Sequence, residues 1–153
     1  MAETAETRLA ALGITLPPMA TPAANYVPAV ASGRLLFVSG QVSVAGDQRH
    51  VGKVGKDLTV EQGYQAARVC AIGLLANLKA AAGDLDKVVR LIKLTGFVNA
   101  TPDFDAPHKV VNGCSDLLVE VLGERGRHAR SAIGVATLPL GAAVEVEAIA
   151  EIA

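Results

Sequence analysis

The longest regular pattern in the sequence is a helical one between residues 60 and 82. Apolar residues recur there at the three- and four-residue spacing of one helical face, at Val60, Tyr64, Ala67, Ala71, Leu74 and Leu78. Thr59 and Gln62 have the spacing of a capping box, in which each side chain bonds the other residue's backbone N–H. Gly83 can adopt the left-handed conformation that ends many helices, so we predict a helix over residues 60–82.

A second amphipathic pattern covers residues 106–122, with Asp105 as the expected N-cap and Pro107 in the first turn. Its apolar stripe consists of Val110, Cys114, Leu117 and Val121. Cys114 is therefore predicted to be a small core residue rather than a nucleophile, and Cys70 is interpreted in the same way. A third, short helix is predicted for residues 3–12.

Strand patterns fill most of the remaining chain. Residues 142–152 alternate strictly, with apolar residues on one face and Glu145, Glu147 and Glu151 on the other. The other predicted strands are residues 26–31, 34–39, 42–44, 86–99 and 130–137. The order ββ(β)αβαββ predicts an α+β fold with its helices on one face of a mixed sheet.

The length of 153 residues suggests one domain with one sizeable core. Residues 1–21 are interpreted as an N-terminal helix and a proline-rich lead-in, and residues 22–153 as the domain itself. Apolar residues make up 51% of the chain, which is high for a monomer of this size. Excess apolar surface often lies in a subunit interface, so we expect a homo-oligomer.

The charge balance excludes several classes of function. Net charge is −1 and aromatic residues are 3% of the chain, so there is neither a basic stripe nor a set of base-stacking side chains for nucleic acid. The acidic start has no basic region or long apolar run, and no window resembles a membrane span. We therefore expect a cytoplasmic protein without a membrane partner.

Metal and nucleotide motifs are also missing from the sequence. The three histidines, at positions 50, 108 and 128, are far apart, and no CxxC or HExxH spacing occurs. The glycine-rich segment 45–57 includes a P-loop-like Gly52–Lys56 stretch, but it lacks the spacing and the following Ser or Thr. We interpret residues 45–57 as a mobile, solvated loop and expect no bound metal or cofactor.

Arg130 and Glu145 are the strongest candidates for chemistry. Arg130 opens a predicted strand on which Ala132 and Gly134 follow on the same face. These small residues leave space beside the guanidinium group, whose paired N–H donors match a carboxylate. Glu145 begins the next strand after a short turn, so the two side chains are expected to be close. Together they would hold a small carboxylic acid and a water, whereas a strand-end ion pair on a solvated face is the commoner use of such residues.

Several motifs resemble those of the RidA/YjgF family of reactive-intermediate deaminases. Its C-terminal pattern R-S-x-V, a spacer, then L-P-x-x-x-x-[VI]-E-[VI]-E-A-I-A is matched by Arg130–Ser131, Leu138–Gly141 and Val144–Ala150. Residues 38–41 (VSGQ) resemble the family's S-G-Q, and Tyr26 precedes Ser39 at the family's spacing. Residues 77–79 and 83–89 resemble a further motif, and the likeness spans about residues 22–152.

The resemblance implies a chorismate-mutase-like α+β fold and a homotrimer with three clefts between subunits. Family archetypes hydrolyse 2-enamine and 2-imine acids, such as 2-aminoacrylate and 2-iminopropanoate, to 2-keto acids and ammonia, without a metal or organic cofactor. The expected function is therefore that of a 2-iminobutanoate/2-iminopropanoate deaminase-type hydrolase.

The resemblance also assigns residues. Arg130 corresponds to the arginine that binds the substrate carboxylate, and Glu145 to the acid that positions the attacking water. The remaining substrate-binding candidates are Tyr26, Ser39, Asn112 and the backbone at Ala132. His128 stands where the family usually has proline, and residues 106–128 also differ, which identifies a distinct branch.

Two other functions remain open from the sequence. One is a non-catalytic trimer that binds a small carboxylate as a sensor or partner module. The other is the endoribonuclease (L-PSP) or translation-inhibitor role described for some relatives, for which the chain offers little beyond His128 beside Arg130. A packing role between loop and strand is the favoured interpretation of His128.

Overall fold

The computed structural model describes residues 3–19 and 21–153 as three helices and seven strands. Met1, Ala2 and Ala20, which belong to the predicted N-terminal lead-in, lie outside the described residues. The helices are α1 (Ala5–Ala11), α2 (Val60–Ala82) and α3 (Pro107–Leu122). The strands are β1 (Ala29–Ser32), β2 (Leu35–Val42), β3 (Val44–Ala45), β4 (Gln48–Arg49), β5 (Val88–Asn99), β6 (Ala129–Val135) and β7 (Val144–Ile152). Short 3-10 turns occupy Leu85–Lys87, Gly123–Gly126 and Pro139–Gly141.

The main sheet has the strand order β1-β2-β7-β5-β6. Only the β5–β6 pair is parallel within it, so the sheet is mixed, as the sequence predicts. Helices α2 and α3 pack on one face, where Leu94, Val98, Val146 and Ala150 are buried. The other face, which we call the open face, carries Val30, Leu35, Phe37 and Ile133, each more than one third exposed. The predicted α+β fold is confirmed.

Local signals account for the ends of α2. Thr59 Oγ1 accepts from the N–H of Gln62 at 3.2 Å, and Gln62 Oε1 accepts from the N–H of Thr59 at 2.9 Å. Gly83 ends the helix with φ of 84°, a conformation that favours glycine. The predicted apolar face is buried from Ala67 onward, whereas Val60 stays exposed in the first turn.

Helix α3 begins differently from the prediction. The predicted N-cap, Asp105, does not cap the helix: the cap residue is Ala106, with no side-chain hydrogen bond. Pro107 occupies the first turn, where its fixed φ starts the helix without a capping side chain. All four predicted stripe residues, including Cys114, are fully buried.

The connection from β6 to β7 does not form a hairpin. It crosses the end of β5, where the backbone N–H of Asn99 donates to the carbonyl of Ala143 at 2.8 Å. The buried Asn99 side chain donates to Ala142 O at 3.2 Å and accepts from Lys53 Nζ at 2.7 Å. Asn99 thus fixes both the crossover and the segment that contains Lys53.

The prediction of a solvated loop at 45–57 is wrong for its second half. Val54 is fully buried and pairs with Leu58 and Ala100 in isolated bridges. Lys53 donates through Nζ to Asn99 and to the carbonyl of Ala136. The glycines at 52 and 55 have φ of 113° and 95°, which lets the chain fold inward so tightly.

Helix α1 packs onto the same core as the rest of the chain. Ala5 and Leu9 are buried, and the N–H of Ala5 donates to Oδ1 of Asp86 at 3.4 Å. Glu6 pairs with Lys79 of α2 at 2.6 Å. The boundary placed after residue 21 stays a prediction.

The close contact between α2 and α3 depends on Gly113. A Cβ at this position would overlap the backbone carbonyl oxygen of Tyr64 in α2, which cannot turn away. We predict that Gly113→Ala lowers the free energy of unfolding by about 1–3 kcal/mol, because the helices must separate. This loss is the opposite of the ordinary effect, because replacing a glycine within a helix by alanine usually stabilises the helix by roughly 0.5–1 kcal/mol.

The matched control is Gly73→Ala in α2. Its Cβ would meet Oε1 of Gln41 at 2.8 Å, the end of a side chain that can move. Urea denaturation of both variants should show the larger loss for Gly113→Ala. Equal or greater stability of Gly113→Ala would contradict this account of the helix contact.

Candidate functional site

Arg130 lies on the edge strand β6, with its side chain directed at α3. Nη1 donates to Oδ1 of Asn112 at 2.9 Å and to Oγ of Ser115 at 3.2 Å. Nη2 donates to the backbone carbonyl of His108 at 3.3 Å. All three acceptors belong to α3, so the helix fixes the orientation of the guanidinium.

The acceptors around Arg130 are neutral, which leaves its charge available to an anion. Three of the five guanidinium N–H groups have acceptors among residues 3–19 and 21–153, so two remain. In the described part of the chain, no ion pair joins Arg130 to a carboxylate. A half-buried arginine in this state can bind a carboxylate with paired donors.

Glu145 lies on β7, opposite Phe97 of β5 and Val42 of β2. Its neighbours Val144 and Val146 are buried under the helices, so alternation along the strand directs Glu145 to the open face. Burial raises the pKa of the Glu145 carboxyl above its ordinary value, and the like charge of Glu147 raises it further.

A glycine makes room for the Glu145 side chain. A Cβ on Gly40 of β2 would overlap Oε1 of Glu145. The glycine of the S-G-Q segment therefore allows the carboxylate to lie directly against the backbone of the neighbouring strand.

The expectation that the turn between their strands brings Arg130 and Glu145 together is wrong. Strands β6 and β7 are not neighbours, because β5 lies between them. Arg130 pairs with Leu94, whose side chain is buried under the helices, whereas Glu145 pairs with Phe97 on the open face. Because paired residues on neighbouring strands share a face, Arg130 lies on the helix-covered face with Leu94 and Glu145 lies on the open face with Phe97.

Tyr26 and Ser39 lie with the glutamate rather than with the arginine. Ser39 Oγ donates to the carbonyl of Val27 at 2.7 Å, and its N–H donates to Pro28 O at 2.9 Å. These bonds hold the segment that contains the exposed Tyr26 next to Ser39. Ser39 directly precedes Gly40, the residue against which the Glu145 side chain lies. We call Tyr26, Ser39 and Glu145 the glutamate cluster.

Asn112 and Ala132 lie with the arginine. Asn112 accepts directly from Arg130, and Ala132 is two residues further along the same face of β6. Ala132 is partly buried against the core. We call Arg130, Asn112 and Ala132 the arginine cluster.

Sequence reasoning missed the bond between Ser115 and His128. Nε2 of His128 lies 3.0 Å from Oγ of Ser115, and Nδ1 lies 2.6 Å from the carbonyl oxygen of Gly126. Ser115 also accepts from Arg130, so all three side chains form one network. The only sequence signal was the histidine two residues before Arg130, because the serine lies 13 residues away on a helix.

Among the described residues, no group of three or more His, Cys, Asp or Glu side chains has an arrangement suited to a metal ion. No helix in the described ranges is long and apolar enough to cross a membrane.

Comparison with known proteins gives a consistent set of relatives. The family model described as "YjgF/chorismate_mutase-like, putative endoribonuclease" matches residues 6–152. Protein TCP17 from Trypanosoma cruzi is 52% identical over 145 residues, which are 92% of this chain and 89% of that protein.

Two solved structures are informative. The crystal structure of Atu1372 from Agrobacterium tumefaciens, a protein of unknown function, has a TM-score of 0.89 and 50% identity, covering 97% of this chain and 92% of that one. The crystal structure of E. coli TdcF with bound serine has a TM-score of 0.62 and 26% identity, covering 90% of this chain and 94% of that one.

The surroundings of Glu145 lead to a prediction about its ionisation. Replacing Glu147 with Gln removes the like charge, so the pKa of Glu145 should fall, yet stay above its ordinary value because burial remains. Carboxyl 13C NMR titration of both proteins measures this change.

Glu151→Gln is the control, since Glu151 lies further along the same strand and pairs with Arg34 at 3.2 Å. It should leave the pKa of Glu145 unchanged. A pKa of Glu145 at or below its ordinary value in the wild type would contradict the burial described above.

Proposed function

Because this chain belongs to the RidA/YjgF family, we propose that it is a hydrolase that deaminates reactive 2-enamine and 2-imine acids. Representative substrates are 2-aminoacrylate and its tautomer 2-iminopropanoate, which yield a 2-keto acid and ammonia. The observation that carries the proposal is the half-buried Arg130, oriented by neutral acceptors and free to bind a carboxylate.

Arg130 would bind the substrate carboxylate through its two unused N–H groups. The relation to TdcF supports a ligand of this class, because the structure of that protein contains serine, a small molecule with a carboxylate. Asn112 and Ser115 keep the guanidinium in place before substrate arrives, which lowers the ordering cost of binding.

Glu145 would position and deprotonate the attacking water. Its raised pKa makes the Glu145 carboxylate a stronger base than an ordinary carboxylate. The water oxygen adds to the imine carbon, and its proton passes to the carboxylate. The carboxyl group returns that proton to the amine nitrogen of the adduct. The C–N bond then breaks as the hydroxyl group gives its proton to the carboxylate and becomes the keto oxygen, and ammonia leaves.

This reaction needs little more than these two groups. A protonated imine is already electrophilic, so orientation and proton transfer supply the acceleration, the latter typically by 10²–10⁴-fold. No activated nucleophile is required for the deamination itself.

The active site would be shared between subunits of a homotrimer. Arg130 and Glu145 lie on opposite faces of the sheet in one chain, so a complete site requires the arginine cluster of one copy and the glutamate cluster of another. The apolar side chains of the open face support such an assembly, because they would be covered by it.

A second candidate is binding of a small carboxylate without catalysis, as a sensor or partner module. The serine in TdcF favours it, since serine is a stable amino acid rather than an imine. The two candidates share Arg130 and differ in whether Glu145 affects turnover.

We predict that light scattering gives the mass of a trimer. Phe37→Glu should reduce it to a monomer, because Phe37 is 43% exposed on the open face. Val60→Glu is the control, since Val60 is similarly exposed at 37% but lies in the first turn of α2, on the other side of the sheet. A stable wild-type monomer would remove the shared site.

We predict that Arg130→Ala lowers kcat/KM for imine hydrolysis by roughly 30- to several-thousand-fold, which corresponds to about 2–5 kcal/mol for an unpaired substrate carboxylate. Arg130→Lys should recover part of the rate, because an ammonium cannot reproduce the planar fork. An amino-acid oxidase generates the imine, and its disappearance is followed with and without this protein.

Glu145→Gln separates the two candidates in the same assay. Deamination predicts a fall in kcat with a smaller change in KM, because the carboxylate acts on the water and not on the bound acid. Carboxylate binding by the wild type without acceleration of imine loss would favour the sensor and exclude the hydrolase.

A further inference from the structure

Ser115 helps to orient Arg130 in the proposed imine hydrolysis, and together with His128 it also has the geometry of a nucleophile and its base. Ser115 lies in the middle of α3, and His128 immediately precedes β6. Both side chains are partly exposed and line an open pocket of about 260 Å³ together with Asp116, Val119, Arg127 and Arg130.

The hydrogen bonds define the state of the imidazole. A carbonyl oxygen only accepts, so the 2.6 Å contact with Gly126 places a proton on Nδ1 of His128. In the neutral ring Nε2 is then an acceptor, and at 3.0 Å it receives the hydroxyl proton of Ser115. The backbone carbonyl thus orients the ring for proton abstraction, as a third group does in many nucleophile–base pairs.

Two further features favour proton transfer from serine to histidine. Burial lowers the pKa of His128, and the charge of Arg130 acts in the same direction, so the ring is neutral at physiological pH although its bond to Gly126 opposes the shift. Arg130 Nη1 also donates to Oγ of Ser115 at 3.2 Å, which stabilises negative charge on that oxygen.

We propose that Ser115 is an acyl-accepting nucleophile, with His128 as its general base, and that this pocket hydrolyses small carboxylic esters. Ser115 Oγ forms a bond to the acyl carbon while its proton passes to Nε2 of His128. Arg130 donates to the oxyanion of the tetrahedral adduct. The adduct breaks its bond to the alkoxy oxygen, which leaves as an alcohol with the proton from Nε2.

Water completes the cycle. Nε2 of His128 takes a proton from the water as its oxygen attacks the acyl carbon, and Ser115 Oγ leaves with that proton returned. The products are a carboxylic acid and the restored hydroxyl. This chemistry shares Arg130 with imine hydrolysis, but it requires neither Glu145 nor an amine leaving group.

Diisopropyl fluorophosphate tests the proposal, because it phosphorylates activated serines and leaves ordinary ones unmodified. The 153-residue chain should gain one adduct, located on Ser115 by peptide mass spectrometry, and Ser115→Ala should gain none. Ser131→Ala is the matched control: this serine is exposed on the open face, receives a bond from Lys93 Nζ at 2.9 Å, and should not affect labelling.

His128→Asn distinguishes a base from a packing residue. The asparagine amide can still donate to Gly126 but has no counterpart of Nε2, so labelling and hydrolysis of 4-nitrophenyl acetate should slow by roughly 10²-fold or more. Circular dichroism and light scattering verify that the variant keeps its fold. Absence of an adduct on wild-type Ser115, or labelling that is unchanged in folded His128→Asn, would overturn the proposal.

Discussion

Alternation of side chains along the strands is the constraint on which the arrangement of this protein depends. The apolar positions of β5 and β7 must face α2 and α3 to form the core. Because side chains alternate along a strand, the residues between these positions must lie on the open face. Glu145 is therefore directed to the open face. Arg130 pairs with buried Leu94 and is directed to the helix side, at the edge of the sheet. The packing of one chain separates the two groups that the proposed reaction needs together.

The edge position of β6 explains how a charged side chain can occupy the helix-facing side at all. An arginine in the middle of the sheet would be enclosed by the core, at a cost of several kcal/mol without a partner. At the edge, α3 supplies Asn112, Ser115 and the His108 carbonyl, while part of the guanidinium stays accessible. The helix thus stabilises the cation without neutralising it. The same three-way network brings Ser115 and His128 beside Arg130, so one helix–strand contact supports both proposed chemistries.

The sequence predicts most of the fold because its strongest signals are local. The capping box at Thr59 and Gln62, the left-handed Gly83 and the strict alternation of residues 144–152 each act over a few residues. Strand order is not local. An eight-residue connection after Val135 is compatible with a hairpin or a crossover, and the difference depends on β5, far away in the chain, which pairs with both strands. For that reason the individual site residues could be named from family motifs, whereas their separation onto two faces could not. The Ser115–His128 hydrogen bond could not be predicted either, because it joins a helix to a loop through the tertiary fold and has no local sequence signal.

Subunit complementation tests the central claim, a site shared between chains, most directly. Arg130→Ala and Glu145→Gln would be purified separately and then mixed after mild dissociation, with mass spectrometry of tagged chains verifying that hybrid trimers form. In a cyclic trimer each site takes its arginine from one chain and its glutamate from the next. Random assembly of equal amounts then gives roughly a quarter of sites with both native residues, and imine hydrolysis should return to about that fraction of the wild-type rate. Hybrid trimers that stay as inactive as their two parents, while the wild type is active, would contradict a shared site.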